Sequence, residues 1–371
     1  MKRRTILGAA VLAAAAVALA AVMATHGTTA DASTMPTAGD PVGVVEYNLG
    51  DKAFTDKPDW GGVSELRAVV HYPKKLTGKL PVVVLLHGQQ VACYSAAEDD
   101  WAWPCPPGVK PYPSNRGYDY LARSLSRDGF VVVSPAANGI NYHVGTAPER
   151  AHLINRHLAM LQQLTTTGGG PLAGRFTDPA TGRPADVDFR NHLDLTRVGT
   201  MGHSVGGQGV FYQAADAHRA ELPAGVRIRG VVAVASPYFN LFDMTVTKAQ
   251  VAVLSAGCFG TRDEAFYRDA ESHHGVGGFL VKMPTANHNY FNTAWTKGPG
   301  PTDGDDTTCP ETTGRPTAEQ QKNLAVTYLT AFFRYALNDD KRGLPVLTGK
   351  TPISGVTNEI ESFHRSGVFE K

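Results

Sequence analysis

The chain has 371 residues, enough for one large domain or two small ones, and 42% of them are hydrophobic, enough for a sizeable core. Its 35 Lys and Arg nearly balance its 34 Asp and Glu, and no basic stripe or long charge run is present. That balance argues against a nucleic-acid partner.

Lys2, Arg3 and Arg4 precede an alanine-rich apolar run from Ile6 to Ala24, and Ala30-Asp31-Ala32 follows as an A-x-A-like cleavage site. This reads as a signal peptide over residues 1–32, leaving a single domain over 33–371. Arg3-Arg4-Thr5-Ile6-Leu7 loosely fits a twin-arginine signal, and Sec export fits as well. The run is long enough to span a bilayer, but its richness in Ala over Leu favours cleavage. The expectation is a secreted protein with no stable membrane span after cleavage, its positive charges having stayed inside. No cysteine follows the apolar run, which argues against a lipid anchor.

Four cysteines, Cys93, Cys105, Cys258 and Cys309, fit two disulfides in an exported protein. Three connectivities exist; Cys93–Cys105 with Cys258–Cys309 is favoured, one stapling a local loop and the other closing a long one. A zinc site from all four is the alternative, weakened by the lack of any C-x-x-C pair.

Val42–Asn48 and residues 66–72 read as strands, the second ending at Pro73. Leu80–Leu86 is a continuous apolar run, as expected of a strand buried on both faces of a parallel sheet. It ends in His87-Gly88-Gln89-Gln90. A Pro- and Trp-containing loop follows over 91–115, then a helix over 118–127 and a buried strand over 130–134. Residues 148–166 form an amphipathic helix with Leu153, Ile154, Leu158, Leu161 and Leu164 on one face. A turn-rich loop covers 168–184. Residues 195–201 are a strand, 207–215 a helix, and 226–235, Gln250–Ala256 and 278–283 further strands. A last long helix covers 317–337, with Thr317-x-x-Gln320 as a capping box; the tail from Asn338 is turn-rich.

Strands alternating with helices predict an α/β fold: a mostly parallel central sheet with helices on both faces. The link from the strand ending at Ala235 to the one beginning at Gln250 spans only about fifteen residues, too few for a large lid domain.

Between the strand over 195–201 and its helix lies Gly202-His203-Ser204-Val205-Gly206, the G-x-S-x-G pattern of a nucleophile elbow. A serine there sits at a strained turn, and its glycine neighbours let the backbone crowd together. Serine alone is a poor nucleophile and needs a base, an acid and donors for an oxyanion. After Gln250–Ala256, Gly260-Thr261-Arg262-Asp263 offers Asp263 as the acid; Asp243, after the preceding strand, is the alternative. His288 follows the last strand and is the base. His273 and His274 precede that strand and compete weakly, and His203 is expected to pack beneath the nucleophile. The N–H groups of Val205 and Gln89 are the expected oxyanion donors, with His87 holding the turn.

Leu86-His87-Gly88, Gly202 to Gly207, Gly260-x-x-Asp263 and Asn287-His288-Asn289 together resemble an α/β-hydrolase of the platelet-activating-factor acetylhydrolase, chlorophyllase and dienelactone-hydrolase-like branch. Ala286 to Asn292 and Thr317 to Gln321 are similar to stretches of secreted actinobacterial members, and the likeness runs from about Tyr47 to Leu337. It implies a Ser-His-Asp hydrolase without a cofactor, usually acting on carboxylic esters. The loop after Cys258 departs from those members in being shorter, which bears on Asp263. The serine nucleophile, where true dienelactone hydrolases have cysteine, rules out borrowing their substrate.

Trp101, Trp103, Tyr238, Phe239, Phe259, Tyr290, Phe291 and Trp295 lie in loops expected to ring the site, either as a cleft for an acyl or aromatic group or as ordinary loop packing. Asp303, Asp305 and Asp306 do not have EF-hand spacing and read as a solvated loop. The expected activity is a serine esterase or lipase acting on a small-molecule, lipid or polymer ester. A serine peptidase or amidase on the same fold is the alternative, and a non-catalytic binding protein the third reading.

Overall fold

A computed structural model describes residues 39–56, 60–95, 99–143, 146–257, 262–296 and 314–364. The proposed signal peptide, Cys258, Cys309, Phe259, Gly260, Thr261 and the aspartates at 303, 305 and 306 lie outside the described residues. Two strands, β1 (Val42–Asn48) and β2 (Arg67–Pro73), lead to the apolar β3 (Leu80–Leu86). The loop after β3 carries three two-residue strands, β4 (Cys93–Tyr94), β5 (Asp99–Asp100) and β6 (Lys110–Pro111), before α1 (Asp119–Arg127) and β7 (Val131–Pro135). Then come α2 (Asn138–Tyr142), α3 (Ala147–Thr167), β8 (Leu193–His203) and α4 (Val205–Ala214). The second half adds β9 (Ile228–Val234), β10 (Gln250–Ala256), α5 (Ala265–Ser272), β11 (Gly277–Met283), α6 (Thr293–Thr296), α7 (Ala318–Asn338), α8 (Leu344–Leu347) and β12 (Glu359–His364).

The main sheet has nine strands in the order β1-β2-β7-β3-β8-β9-β10-β11-β12. Every pairing from β7 to β11 is parallel, and the flanks are antiparallel: β1 with β2, β2 with β7, and β12 with β11. Successive side chains of a strand face opposite ways, and the core divides accordingly. Val82, Val84 and Leu86 of β3 join the cluster with Leu153 and Ile154 of α3, Phe211 of α4 and Phe266 of α5. Val83 and Leu85 join the other cluster with Leu121 and Leu125 of α1 and Leu324, Tyr328 and Phe332 of α7. Helices therefore cover both faces, which is why β3 and β10 are apolar without alternation. The connection between β9 and β10 contains neither helix nor strand.

The winding places a crevice. After β3 the chain crosses by α1 to β7 on one side, whereas after β8 it crosses by α4 to β9 on the other. Neighbouring parallel strands whose connections leave in opposite directions open a gap at their carboxyl ends, where ligands of open α/β sheets bind. Here the gap lies between β3 and β8, whose last paired residues are Leu86 and Gly202.

Several features depart from the sequence-based reading, the unread helices α2 and α5 among them. The loop over 91–115 holds a three-stranded sheet, β5-β4-β6; strands of two residues carry no periodicity to read. The tail ends in β12, a half-exposed edge strand whose Glu361 pairs with Lys282 and Arg268. Strand β8 begins at Leu193 and runs on to His203, so the elbow's first glycine belongs to the sheet. The capping box of α7 forms as expected, with Thr317 and Gln320 exchanging bonds. Among the described residues no helix is long and apolar enough to cross a membrane.

Cys93 and Cys105, twelve positions apart, are bonded as expected. The bridge closes the small sheet, where Cys93 packs with Ala92 and Trp103. Replacing both cysteines by serine should lower unfolding free energy by about 3 kcal/mol, the chain-entropy value for a loop of this size. The far-UV spectrum of the nine-stranded sheet should persist; denaturant melts of wild type and double variant with coincident midpoints would refute the stapling role.

Candidate active site

The chain leaves β8 at His203, makes one residue of turn, and enters α4 at Val205. That one residue is Ser204, with φ 56° and ψ −137°. A side chain at positive φ is strained by its own Cβ, at a cost of order 1–3 kcal/mol, and persists only where its surroundings enforce it. The surroundings here are backbone. A Cβ on Gly202 would collide with the Gly206 carbonyl, and one on Gly206 would lie 2.8 Å from both the Leu86 and His87 oxygens. The two glycines let the first turn of α4 press onto the ends of β3 and β8. The Ser204 N–H donates to Val234 O at 2.9 Å, tying the turn to β9.

Ser204 occupies the N-cap position of α4, where a serine ordinarily turns its oxygen back onto the helix amides. Its side chain makes no such bond. The residue packs directly against the loop after β3: a Cβ built on Gly88 would stand 2.5 Å from the Ser204 Cβ and 3.1 Å from its Oγ. Val205, the first residue of α4, carries one of the first-turn amides that have no partner within a helix. Gln89 is exposed beside buried Gly88. Of the two expected oxyanion donors, Val205 follows the serine directly in the chain and Gln89 follows Gly88, which packs against the serine.

His87 is structural, as expected. Its Nε2 accepts from the Ala137 N–H at 2.8 Å, so Nδ1 carries the hydrogen and donates to Gly88 O at 2.8 Å. Burial drives its pKa down to about 3 and keeps it neutral.

His288 lies beyond the end of β11, in a short loop that returns over the elbow. Its position is built from below by His203. The buried His203 ring donates from Nε2 to the His288 carbonyl at 2.9 Å and accepts at Nδ1 from the Tyr118 hydroxyl at 2.9 Å. Burial holds His203 well below the usual imidazole range, so this donor–acceptor pattern is locked. Its ring centroid is 4.7 Å from that of His288 and 4.8 Å from Trp295, whose indole N–H donates to Ser114 Oγ. The histidine next to Ser204 therefore carries the backbone of His288.

A second hold comes from α7. The side chain of the fully buried Gln321 accepts from the Asn287 N–H at 3.0 Å and donates to the Asn287 carbonyl at 2.7 Å. This two-point grip copies a strand pairing with one amide side chain. The Asn287 side chain in turn accepts from the Asn289 N–H at 2.8 Å.

Asp263 is fully buried just after β10, the strand beside β11. One carboxyl oxygen accepts from Ser255 Oγ at 2.8 Å and the other from the Ala256 N–H at 3.0 Å. Nδ1 of His288, the nitrogen expected to face the acid, faces Asn289 Oδ1 at 2.8 Å. An amide oxygen only accepts, so Nδ1 carries the hydrogen and Nε2 is the basic nitrogen of the neutral ring. Asp243 is exposed, caps a turn through the Thr245 N–H at 3.0 Å, and lines a surface cleft of about 340 Å³ with Tyr238 and Phe242. Neither Ser204 nor His288 lines that cleft.

The loop aromatics divide. Trp101 and Phe239 are exposed, and Tyr238 and Tyr290 are half-buried. Trp103, Phe291 and Trp295 are buried, and Trp295 braces the two histidines rather than lining a cleft. Sequence reasoning gave no role to Gln321, Tyr118 or Asn141. The signal for Gln321 is its apolar setting, a polar residue on the inward stripe of α7 beside Leu324 and Ala325.

Neither a family model nor a curated protein matches this chain.

Burial raises the Asp263 pKa from 3.8 to about 7, against the two hydrogen bonds it accepts. A folded-state pKa above the unfolded one means the native state binds the proton more tightly. This contribution to stability is complete below about pH 4 and is lost as pH rises through about 7. Asp263→Asn, which stays neutral, should be more stable than wild type at pH 8 by on the order of 2 kcal/mol, with the gap closing at pH 4. Thermal melts across that range check it; parallel curves at every pH would show that Asp263 ionises at its ordinary value.

Proposed function

We propose that this chain is a serine hydrolase of carboxylic esters on an α/β-hydrolase fold, exported by its charged and apolar N-terminal stretch. One observation carries the reading: Ser204 is held at positive φ at a helix N-cap without spending its hydroxyl on the cap. Strain of that kind is retained where it presents a side chain for use.

The residues divide the work as follows. Ser204 Oγ attacks the ester carbonyl carbon and its proton passes to His288 Nε2. The carbonyl oxygen becomes an oxyanion held by the N–H groups of Gln89 and Val205. Collapse breaks the ester C–O bond, and the leaving alkoxide takes the proton back from the imidazolium. An acyl-serine remains, which water hydrolyses with His288 again as the base. Asp263 supplies the negative charge that stabilises the imidazolium; Asn289 sets the resting tautomer. The Asp263 carboxyl must be ionised to supply that charge, and burial raises its pKa to about 7, so activity should rise from pH 6 to pH 8.

The test is hydrolysis of p-nitrophenyl butyrate beside the matching p-nitroanilide. Ser204→Ala and His288→Ala should each lose roughly 10³-fold or more in kcat while still folding. Inactive wild-type protein, or full activity in either folded variant, would overturn the proposal. A faster anilide reaction would move the chain to the amidases. Asp263→Asn should lose at least about 100-fold and Asn289→Ala less than about 10-fold; the reverse order would hand the orienting role to Asn289.

A further inference from the structure

The loop after β3 is anchored by a residue outside the triad. Asn141, buried in α2, donates from Nδ2 to the carbonyls of Gly88 and Gln90, each at 3.2 Å. Its Oδ1 accepts from Nη2 of Arg150 on α3 at 2.8 Å. A guanidinium has only donors, so Arg150 fixes which end of the Asn141 amide faces the loop. Were the amide reversed, two donors would meet at Arg150 and an acceptor would meet two carbonyls. Arg150 is itself buried, which lowers its pKa to about 10 and leaves it charged at neutral pH. The start of α2 is held independently: the buried Glu65 carboxylate accepts from the amides of Asn138 at 2.8 Å and Gly139 at 3.1 Å.

The consequence follows from peptide geometry. The Gly88 carbonyl and the Gln89 N–H belong to one planar trans peptide and point in opposite directions. Two donors, Asn141 Nδ2 and His87 Nδ1, converge on that carbonyl. Gly88 is also the residue whose missing Cβ lets the loop approach Ser204.

We infer that Asn141, oriented by Arg150, is a positioning residue: by holding the Gly88 carbonyl it points the Gln89 N–H across the crevice as an oxyanion donor. The inference rests on the ester-hydrolase reading above. Asn141 touches no reacting atom, so its loss weakens the donor without emptying the site. Losing an oxyanion donor outright costs 10²–10³ in kcat, so misdirecting one should cost roughly 30-fold.

Three proteins serve as the test: wild type, Asn141→Ala, and Asn141→Asp, which keeps the size and the bond to Arg150 but turns an acceptor onto both carbonyls. Labelling of Ser204 by a fluorophosphonate, with ester turnover in wild type, first establishes the hydrolase reading by itself. Given that, both variants should show kcat down roughly 30-fold and KM within about 3-fold. Affinity for an alkylboronic acid, whose tetrahedral adduct uses the oxyanion donors, should fall by the same factor, while the carboxylic acid product should inhibit unchanged. If Asn141→Ala fails to fold, Asn141→Asp gives the reading. A folded variant with wild-type kcat, or with the loss entirely in KM and product binding, would overturn the positioning role and leave the hydrolase reading standing. Wild-type protein that neither labels nor turns over ester would overturn both.

Discussion

Everything at the carboxyl end of this sheet depends on how closely α4 approaches β3 and β8. Gly202 and Gly206 permit the approach, and no larger residue fits between the Leu86 and His87 carbonyls and the first turn of α4. The approach forces Ser204 to positive φ, and the bond from its N–H to Val234 of β9 ties it there. Reversing strand connections open a crevice at the same point. Two unrelated constraints, backbone crowding and chain winding, thus meet on one hydroxyl.

Around that hydroxyl, buried polar side chains fix backbone segments rather than one another. His203 holds the carbonyl of His288, Gln321 both polar groups of the Asn287 main chain, and Asn141 two carbonyls of the loop after β3. The polar atoms of these three side chains all find partners, which avoids the desolvation penalty of an unpaired one. The pattern suits a site whose working groups are partly backbone amides and whose loops must hold a defined direction.

These arrangements explain which features were legible in the amino-acid sequence. Leu80–Leu86 could be bounded to the residue because a strand covered on both faces is apolar at every position. Ser204 was legible because the crowding demands glycine at fixed offsets. His288 was placed by chain order, since a loop after the last parallel strand returns to the crevice. Asp263 was legible as a carboxylate in the turn after Gln250–Ala256, but its bonds to Ser255 and Ala256 depend on local rotamers that no spacing encodes. Helix α2, with Asn and Gly among its five residues, has no helical pattern because Glu65, 73 positions away from Asn138, supplies its cap. Asn141 and Gln321 escaped for the same reason: a side chain that serves a distant carbonyl leaves no periodic trace. Strand β12 was hidden by its half-polar face.

The grip of Gln321 on Asn287 also shows that the two halves of the site rest on different stretches of chain. The turn at Ser204 is tied to β9, which follows it closely, through the Val234 carbonyl. The loop bearing His288 takes its second anchor from a helix residue 34 positions further along. A change in α7 can therefore reach the loop at His288 while the turn at Ser204 keeps its own bond.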